Sequence, residues 1–254
     1  MPYQAANNDY TIYVNHILEI LRKPVEEFDF LRNLDTFGVF GVSTEFGMEY
    51  CKCLQEEFPE EVKCIREGKY DAFFNEFESI GGPLFFFSEI LGRSINANTT
   101  RYIYHAFLIK KYMEEKFPGK SLHILEIGGG YGGLCFWLSK LAPTSIKTYE
   151  ICDLNAAIQL QKVCLQKWSI PCSFLENPFA WKKHDLTFVI SNYGFAEFNE
   201  MFQTIYTQRI LSKCEGGFMV WNNSTGILKF TENPMKIEKE RPSFPNVSNH
   251  FLYF

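Results

Sequence analysis

Glu126, Gly128, Gly130 and Gly133 lie within LEIGGGYGGLCFWLSK, residues 125–140, and Asp153 follows Gly130 by 23 positions. Five of the six residues from Gly128 to Gly133 are glycine. Glycine lets a backbone turn sharply and approach a ligand closely, and a helix beginning there presents unpaired N–H groups. The spacing G-x-G-x-x-G alone is as compatible with a dinucleotide as with other nucleosides, so the flanking residues must decide. Glu126 stands two residues before Gly128, at the end of an apolar run. A carboxylate there repels a pyrophosphate but suits a cationic ligand without phosphate, and S-adenosylmethionine, with its α-amino group and sulfonium, is one. Asp153 suits hydrogen bonds from ribose hydroxyls, which a nicotinamide dinucleotide also offers. It equally suits capping a helix that starts at Asn155. The one Y-x-x-x-K, Tyr112 to Lys116, precedes the loop, the wrong side for a reductase.

These residues need a scaffold. From Leu122 the chain alternates strands (His123–Ile127, Ile146–Ile151, a weak Cys172–Leu175, Leu186–Ser191, Phe218–Trp221) with helices ending near Leu141 and covering Asn155–Gln166 and Glu200–Leu211. That alternation predicts a parallel sheet with crossover helices. Lys236–Glu240 and Phe251–Phe254 read as two strands with no helix between them, the ending of a parallel sheet finished by an antiparallel strand. The first half reads as helices: Ile12–Leu21 stopped by Pro24, Glu60–Gly68, Tyr70–Phe77, and a long helix over RYIYHAFLIKKYMEEKF capped by Asn98-Thr99-Thr100. No strand is expected there. The expected fold class is α/β, a mostly parallel Rossmann-like sheet with an antiparallel last strand, preceded by an N-terminal helical cap. The division is a cap over 1–97 and a sheet domain over 98–254.

The chain of 254 residues has room for a core domain and a cap. A net charge of −5, from 25 basic and 30 acidic residues, gives no general attraction to nucleic acid or anionic lipid. Eight cysteines without a C-x-x-C, and an amino terminus unlike a signal peptide, point to reduced thiols and a cytoplasmic setting. No run approaches the ~18 apolar residues of a membrane span. GGPLFFFSEIL, the most apolar stretch, is interrupted by Glu89. No paired acidic or His/Asp cluster resembles a divalent-metal site, so no metal is expected. So aromatic a chain is compatible with a homodimer.

Glu126-x-Gly128-x-Gly130 with a downstream acidic residue resembles the motifs of class I S-adenosylmethionine-dependent methyltransferases. NTTRYIYHAF, LEIGGGYGGL, YEICDLNAAIQLQKVCL and DLTFVISNYGFAEF together are similar to the bacterial sugar O-methyltransferase family, over roughly Asn98 to Trp221 and more faintly at Glu240 to Pro242. Asn155 and Ala156 depart from the Pro-Glu commoner in that family. The resemblance implies O-methylation of a sugar hydroxyl by S-adenosylmethionine, leaving S-adenosylhomocysteine, in the assembly of bacterial surface (capsular) polysaccharide. The substrate would be a free, nucleotide-linked or glycan-linked sugar. Rivals are a methyltransferase for another small polar acceptor and a cofactor-less binding domain of the same fold.

The resemblance further implies that Glu126, Gly128, Gly130 and Tyr131 line the methionine end of the cofactor, that Asp153 takes the ribose, and that Leu154 and Asn177 lie at the adenine. SNYGFAE follows the fourth strand, whose carboxyl end should open on the reacting methyl. Asn192 and Tyr193 would sit near the methyl or the sugar, and Glu197 would take the proton of the attacking hydroxyl. Its alternatives are helix capping or an ion pair. Arg101 and His105, one helical turn apart on one face, would bind a phosphate or sugar and serve as an alternative base. Arg101 would otherwise clamp cap to core, and a lone histidine is commonly structural. Asn222, with Asn223, would hold sugar hydroxyls or close a turn, and Arg241 would meet a nucleotide diphosphate. His250 could face the cleft with Asn249.

Overall fold

A computed structural model describes residues 10–33, 36, 39, 41–222, 236–243 and 248–254. The helices are α1 (Thr11–Ile20), α2 (Thr44–Glu57), α3 (Pro59–Arg66), α4 (Asp71–Phe77), α5 (Ala97–Lys116), α6 (Gly133–Leu141), α7 (Asn155–Lys167) and α8 (Glu200–Arg209). The strands are β1 (Phe85–Ser88), β2 (Arg93–Asn96), β3 (Leu122–Ile127), β4 (Ile146–Cys152), β5 (Ser173–Leu175), β6 (Thr187–Asn192), β7 (Gly216–Trp221), β8 (Lys236–Lys239) and β9 (His250–Tyr253).

Seven strands form one sheet in the order β5-β4-β3-β6-β7-β9-β8. The first five run parallel, and β9 pairs antiparallel with both β7 and β8. β3 and β7 are buried at all six of their positions, as central strands covered on both faces must be. At the far edge β8 is exposed throughout, and Lys236, Glu238 and Lys239 keep that edge from pairing further. Since β3 lies between β4 and β6, the order reverses at the β3–β6 step, the place where ligands bind in open α/β sheets.

α5 joins the amino-terminal helices to the sheet domain. It packs on α2 and on α6, and twelve of its 20 residues are buried, as befits a helix covered on most sides. Aromatic side chains fill the space around it: Phe77 touches Tyr102, Tyr131, Phe136, Trp137 and Trp168. The Trp168 indole donates to the Glu76 carbonyl at 2.9 Å, tying the end of α7 to α4.

The sheet follows the expected strands to within one or two residues, and three features of the first half differ. A two-stranded antiparallel hairpin, β1–β2, occupies part of the apolar stretch where no strand was expected. Gly92, at φ +67°, supplies the left-handed turn residue of that hairpin. An unforeseen helix, α2, starts at the capping side chain of Ser43. Finally, α5 begins earlier than expected. Asn96 is its cap, accepting from the Asn98 N–H at 2.9 Å, so Asn98, Thr99 and Thr100 lie inside the first turns.

Candidate active site

The turn after β3 is built by its glycines. Gly128 adopts φ +78°, and a Cβ there would crowd the Gly194 backbone at 3.2 Å, so glycine suits the close approach of the β3 and β6 turns. A Cβ on Gly133 would meet the Tyr102 ring at 2.6 Å, so the first turn of α6 can lie against α5. Above this turn, at the carboxyl ends of the parallel strands, is a cavity of about 730 Å³, a size usual for small-molecule sites.

One wall comes from β3, β4, β5 and the turns after them: Glu126, Gly128, Gly129, Gly130, Asp153, Leu154, Asn155, Glu176 and Asn177. Tyr149 donates to Glu126 across 2.8 Å, and burial pushes the Glu126 carboxyl up to about 8, the nearby Asp153 adding to the rise and the Tyr149 bond opposing it. Asp153 is pushed up to about 6 by burial, against hydrogen bonds from Leu154 N (2.7 Å), Gln161 Nε2 (2.7 Å) and Gly129 N (2.9 Å). Asp153 therefore braces the glycine turn, and the first turn of α7 has no side-chain cap. Asn177 Oδ1 accepts from the N–H groups of Phe179 and Ala180 and shapes the turn after β5.

The opposite wall comes from β6, β7, α5 and the segment before β9: Arg101, Asn192, Tyr193, Glu197, Asn222 and Asn249. Tyr193 follows β6 with φ +71°, uncommon for a bulky residue. The Arg101 guanidinium lies 5.8 Å from the Tyr193 ring centroid and 5.4 Å from that of Tyr102. Tyr193 Oη donates to Glu240, a fully buried carboxylate that burial pushes up while Tyr193, Asn249 and Arg101 pull it back. Asn222 Nδ2 donates to Glu197 Oε1 at 3.2 Å.

Twelve of the seventeen site candidates named from the sequence thus line one cavity, while Tyr131, His105, Arg241 and His250 do not. Tyr131 is turned into the core, its ring against Phe30, Phe77, Tyr102 and Trp168, because the turn at Gly130 (φ +59°) sends it away from the ligand side. His105 is fully buried one turn below Arg101, and burial and the Arg101 charge hold its imidazole well below the usual range. Its Nδ1 lies 3.0 Å from Asn192 Nδ2; donation by that amide fits a neutral ring protonated on Nε2. It is placed to orient Asn192, not to meet a substrate as a base. Arg241 points outward to Glu56 and Glu57 on α2 and is held there by both carboxylates. His250 also stays out of the wall, whereas its neighbour Asn249 is in it. Asn223 lies outside the described residues.

The sequence reading missed Tyr10 and Tyr13 from α1 and its start, Tyr102, Glu176, and Phe198, Phe202 and Tyr206 from the segment after β6. Glu176 was within reach, standing beside Asn177 after a recognised strand. Nothing in the α1 pattern distinguishes tyrosines that face a cavity from those that face a core. Among the described residues no group of His, Cys, Asp or Glu could hold a metal ion, and no helix is long and apolar enough to cross a membrane.

The glycine turn follows β3, and the sheet is the expected mostly parallel, Rossmann-like α/β sheet with an antiparallel last step. No protein-family model matches the chain, and no curated protein matches it in sequence. Among solved structures it is similar to the plantazolicin methyltransferase BpumL in complex with S-adenosylhomocysteine, at 15% identity over 82% of this chain and 95% of that one, with a TM-score of 0.44. Against BpumL holding a desmethylplantazolicin analogue the alignment spans 70% of this chain and 60% of that one, at 18% identity and a TM-score of 0.39. It is also similar to magnesium protoporphyrin IX methyltransferase from Synechocystis PCC 6803 with bound S-adenosylmethionine, at 12% identity over 74% and 95% of the two chains, with a TM-score of 0.45.

Proposed function

We propose that the protein is an S-adenosylmethionine-dependent O-methyltransferase that methylates a sugar hydroxyl. One observation carries the reading of the cofactor. The cavity at the β3–β6 reversal places Glu126, Asp153 and Glu176 on one wall, and Arg101 is the one Lys or Arg among its described lining residues. A wall of carboxylates, with Glu126 buried and no lysine among the described lining residues, disfavours a pyrophosphate and favours a ligand that brings a cation and hydroxyls. The chemistry fits, since Glu126 is buried beside the Tyr149 phenol and near Asp153, with no cation next to it on that wall, and would be drawn to its charged form by an ammonium group.

Glu126 and the glycine turn would hold the methionine end, with Asp153, Leu154 and Asn177 towards the nucleoside. Bound S-adenosylmethionine supplies a methyl activated on sulfur. The chain itself positions the acceptor and removes a proton. Glu197, oriented by Asn222, is the base we assign to the acceptor hydroxyl, with Arg101, Tyr193 and Asn222 as acceptor contacts. Residues 1–97 would act as a cap that shields donor and acceptor from water. The sugar assignment rests on the resemblance of SNYGFAE and the glycine loop to sugar O-methyltransferases, and a role in surface polysaccharide assembly follows from that resemblance alone.

A thermal-shift assay with S-adenosylhomocysteine and with NAD tests the cofactor. Stabilisation by the first only is expected, and stabilisation by NAD only would overturn the reading. Labelled S-adenosylmethionine offered with free sugars, nucleotide sugars, amines and carboxylates then tests the acceptor. Transfer to a non-sugar alone would remove the sugar assignment.

A further inference from the structure

Glu240 follows β8 and has no exposed surface. It is absent from the cavity wall, yet both of its carboxylate oxygens are tied to residues that form that wall. Tyr193 Oη donates to Oε1, and Asn249 Nδ2 donates to Oε2 at 2.6 Å. The Glu240 N–H donates to the Asn249 carbonyl at 2.9 Å, which keeps the two segments in register.

In both of these side-chain bonds the Glu240 carboxyl is the acceptor, one oxygen to each partner. It therefore takes the phenolic hydrogen of Tyr193 and an amide hydrogen of Asn249, and each of those side chains keeps an oxygen that can only accept. Asn249 Oδ1 is buried with no hydrogen-bond partner among the described residues. A buried acceptor in that state costs free energy until a donor reaches it. The left-handed backbone of Tyr193 adds a second sign. Such strain persists where the surroundings enforce it, and it clusters at ligand sites.

We propose that Glu240 is a positioning residue that presets Tyr193 Oη and Asn249 Oδ1 as hydrogen-bond acceptors, making a subsite for a hydroxyl group of the acceptor substrate. The role of the ligand rests on the methyltransferase reading, while the polarity of the subsite does not. This pair of acceptors recognises a compound that donates, and it discriminates against a deoxy or methoxy analogue, which leaves the buried oxygens unpaired. Glu240 itself reaches no ligand and works through the two side chains in front of it.

The test compares the full-length wild type with Glu240→Gln and Glu240→Asp. Binding of S-adenosylhomocysteine is measured by calorimetry, and methyl transfer is measured with tritiated S-adenosylmethionine over monosaccharides and nucleotide sugars. The Gln variant should bind S-adenosylhomocysteine within about two-fold of wild type, since Glu240 hydrogen-bonds Tyr193 and Asn249 and shares no partner with Glu126 or Asp153. It should lose about ten- to a hundred-fold in kcat/KM, chiefly through KM, for the hydroxyl compounds that wild type methylates, with partial recovery in the Asp variant. Unchanged KM and kcat with intact binding overturn the proposal. Failure of wild type to bind S-adenosylhomocysteine would instead count against the methyltransferase reading. A crystal structure of the wild type, soaked with a monosaccharide, decides the subsite even if no compound reacts or a variant does not fold. A water or sugar hydroxyl within about 3.2 Å of Tyr193 Oη or Asn249 Oδ1 supports it. An Asn249 Oδ1 satisfied by the protein, beside a dry Tyr193, overturns it.

Discussion

Glu126 is the residue on which the cofactor assignment turns, and its environment makes a quantitative demand. In a buried site beside the Tyr149 phenol, its carboxyl is pushed up to about 8 and holds its proton well above the usual carboxylate range. A cationic ligand must pull that proton off, and the resulting ion pair then sits out of water. Glu126→Gln keeps the shape and the hydrogen bond to Tyr149 but removes the charge. The variant is expected to bind S-adenosylhomocysteine about 10- to 100-fold more weakly, the worth of one charge-assisted hydrogen bond, with its fold intact by circular dichroism. Calorimetry in two buffers of different ionisation enthalpy should also show proton release on binding to wild type and less of it in the variant. Equal affinities would remove Glu126 from the cofactor site. At this scale the sequence was a good guide wherever chemistry fixed the choice of residue type, as for a carboxylate two positions before a glycine turn. It failed for Tyr131, His105 and Arg241, because which way each side chain points depends on a turn, a neighbouring helix and an acidic pair far away in the chain.

The elements of the sheet were legible because buried parallel strands are short, mostly apolar runs set between longer helical segments, as in LHILEI and TFVISN. The β1–β2 hairpin was not, since Phe85 and Phe87 point outward and break the alternation that marks a half-buried strand. The start of α5 was misplaced for a related reason: Asn96, Asn98, Thr99 and Thr100 are all capping types, and only tertiary partners single out the first. Asn96 accepts from Asn98 N at 2.9 Å, donates through Nδ2 to the Leu84 carbonyl at 2.7 Å, and gives its own N–H to Glu78 at 2.8 Å. This buried residue knots the hairpin to the helix that carries Arg101. Asn96→Ala removes the cap and leaves the Leu84 carbonyl short of a donor, and should cost about 2 kcal/mol in urea unfolding. Asn96→Ser keeps a capping oxygen and should cost about half as much. Equal losses for both would mean that the Leu84 bond, and not the cap, does the stabilising.

For the whole molecule, placing several carboxyls inside makes stability depend on pH in a direction opposite to ordinary surface acids. Glu126 at about 8 and Asp153 at about 6 hold their protons in the folded protein well above the pH at which the unfolded chain releases them. Between those limits the folded state binds more protons than the unfolded one, so stability is greatest at low pH and falls as pH rises through the folded values. His105 works the other way, because its imidazole stays neutral when folded and the unfolded chain takes up a proton below about 6.5. That opposing contribution is complete by about pH 7, and the buried thiols enter only above about pH 8. In the window from about 6.5 to 8, Glu126 therefore dominates. Chemical denaturation of the ligand-free protein should show stability falling by on the order of 1 kcal/mol across it, and Glu126→Gln should flatten the curve. Adding S-adenosylhomocysteine should flatten it as well, since its ammonium group stabilises the ionised carboxylate, so the ligand's stabilising effect grows with pH over the same interval. A wild-type curve that is level from 6.5 to 8, or one that falls equally in the Gln variant, would show that the Glu126 carboxyl is already ionised in the empty site.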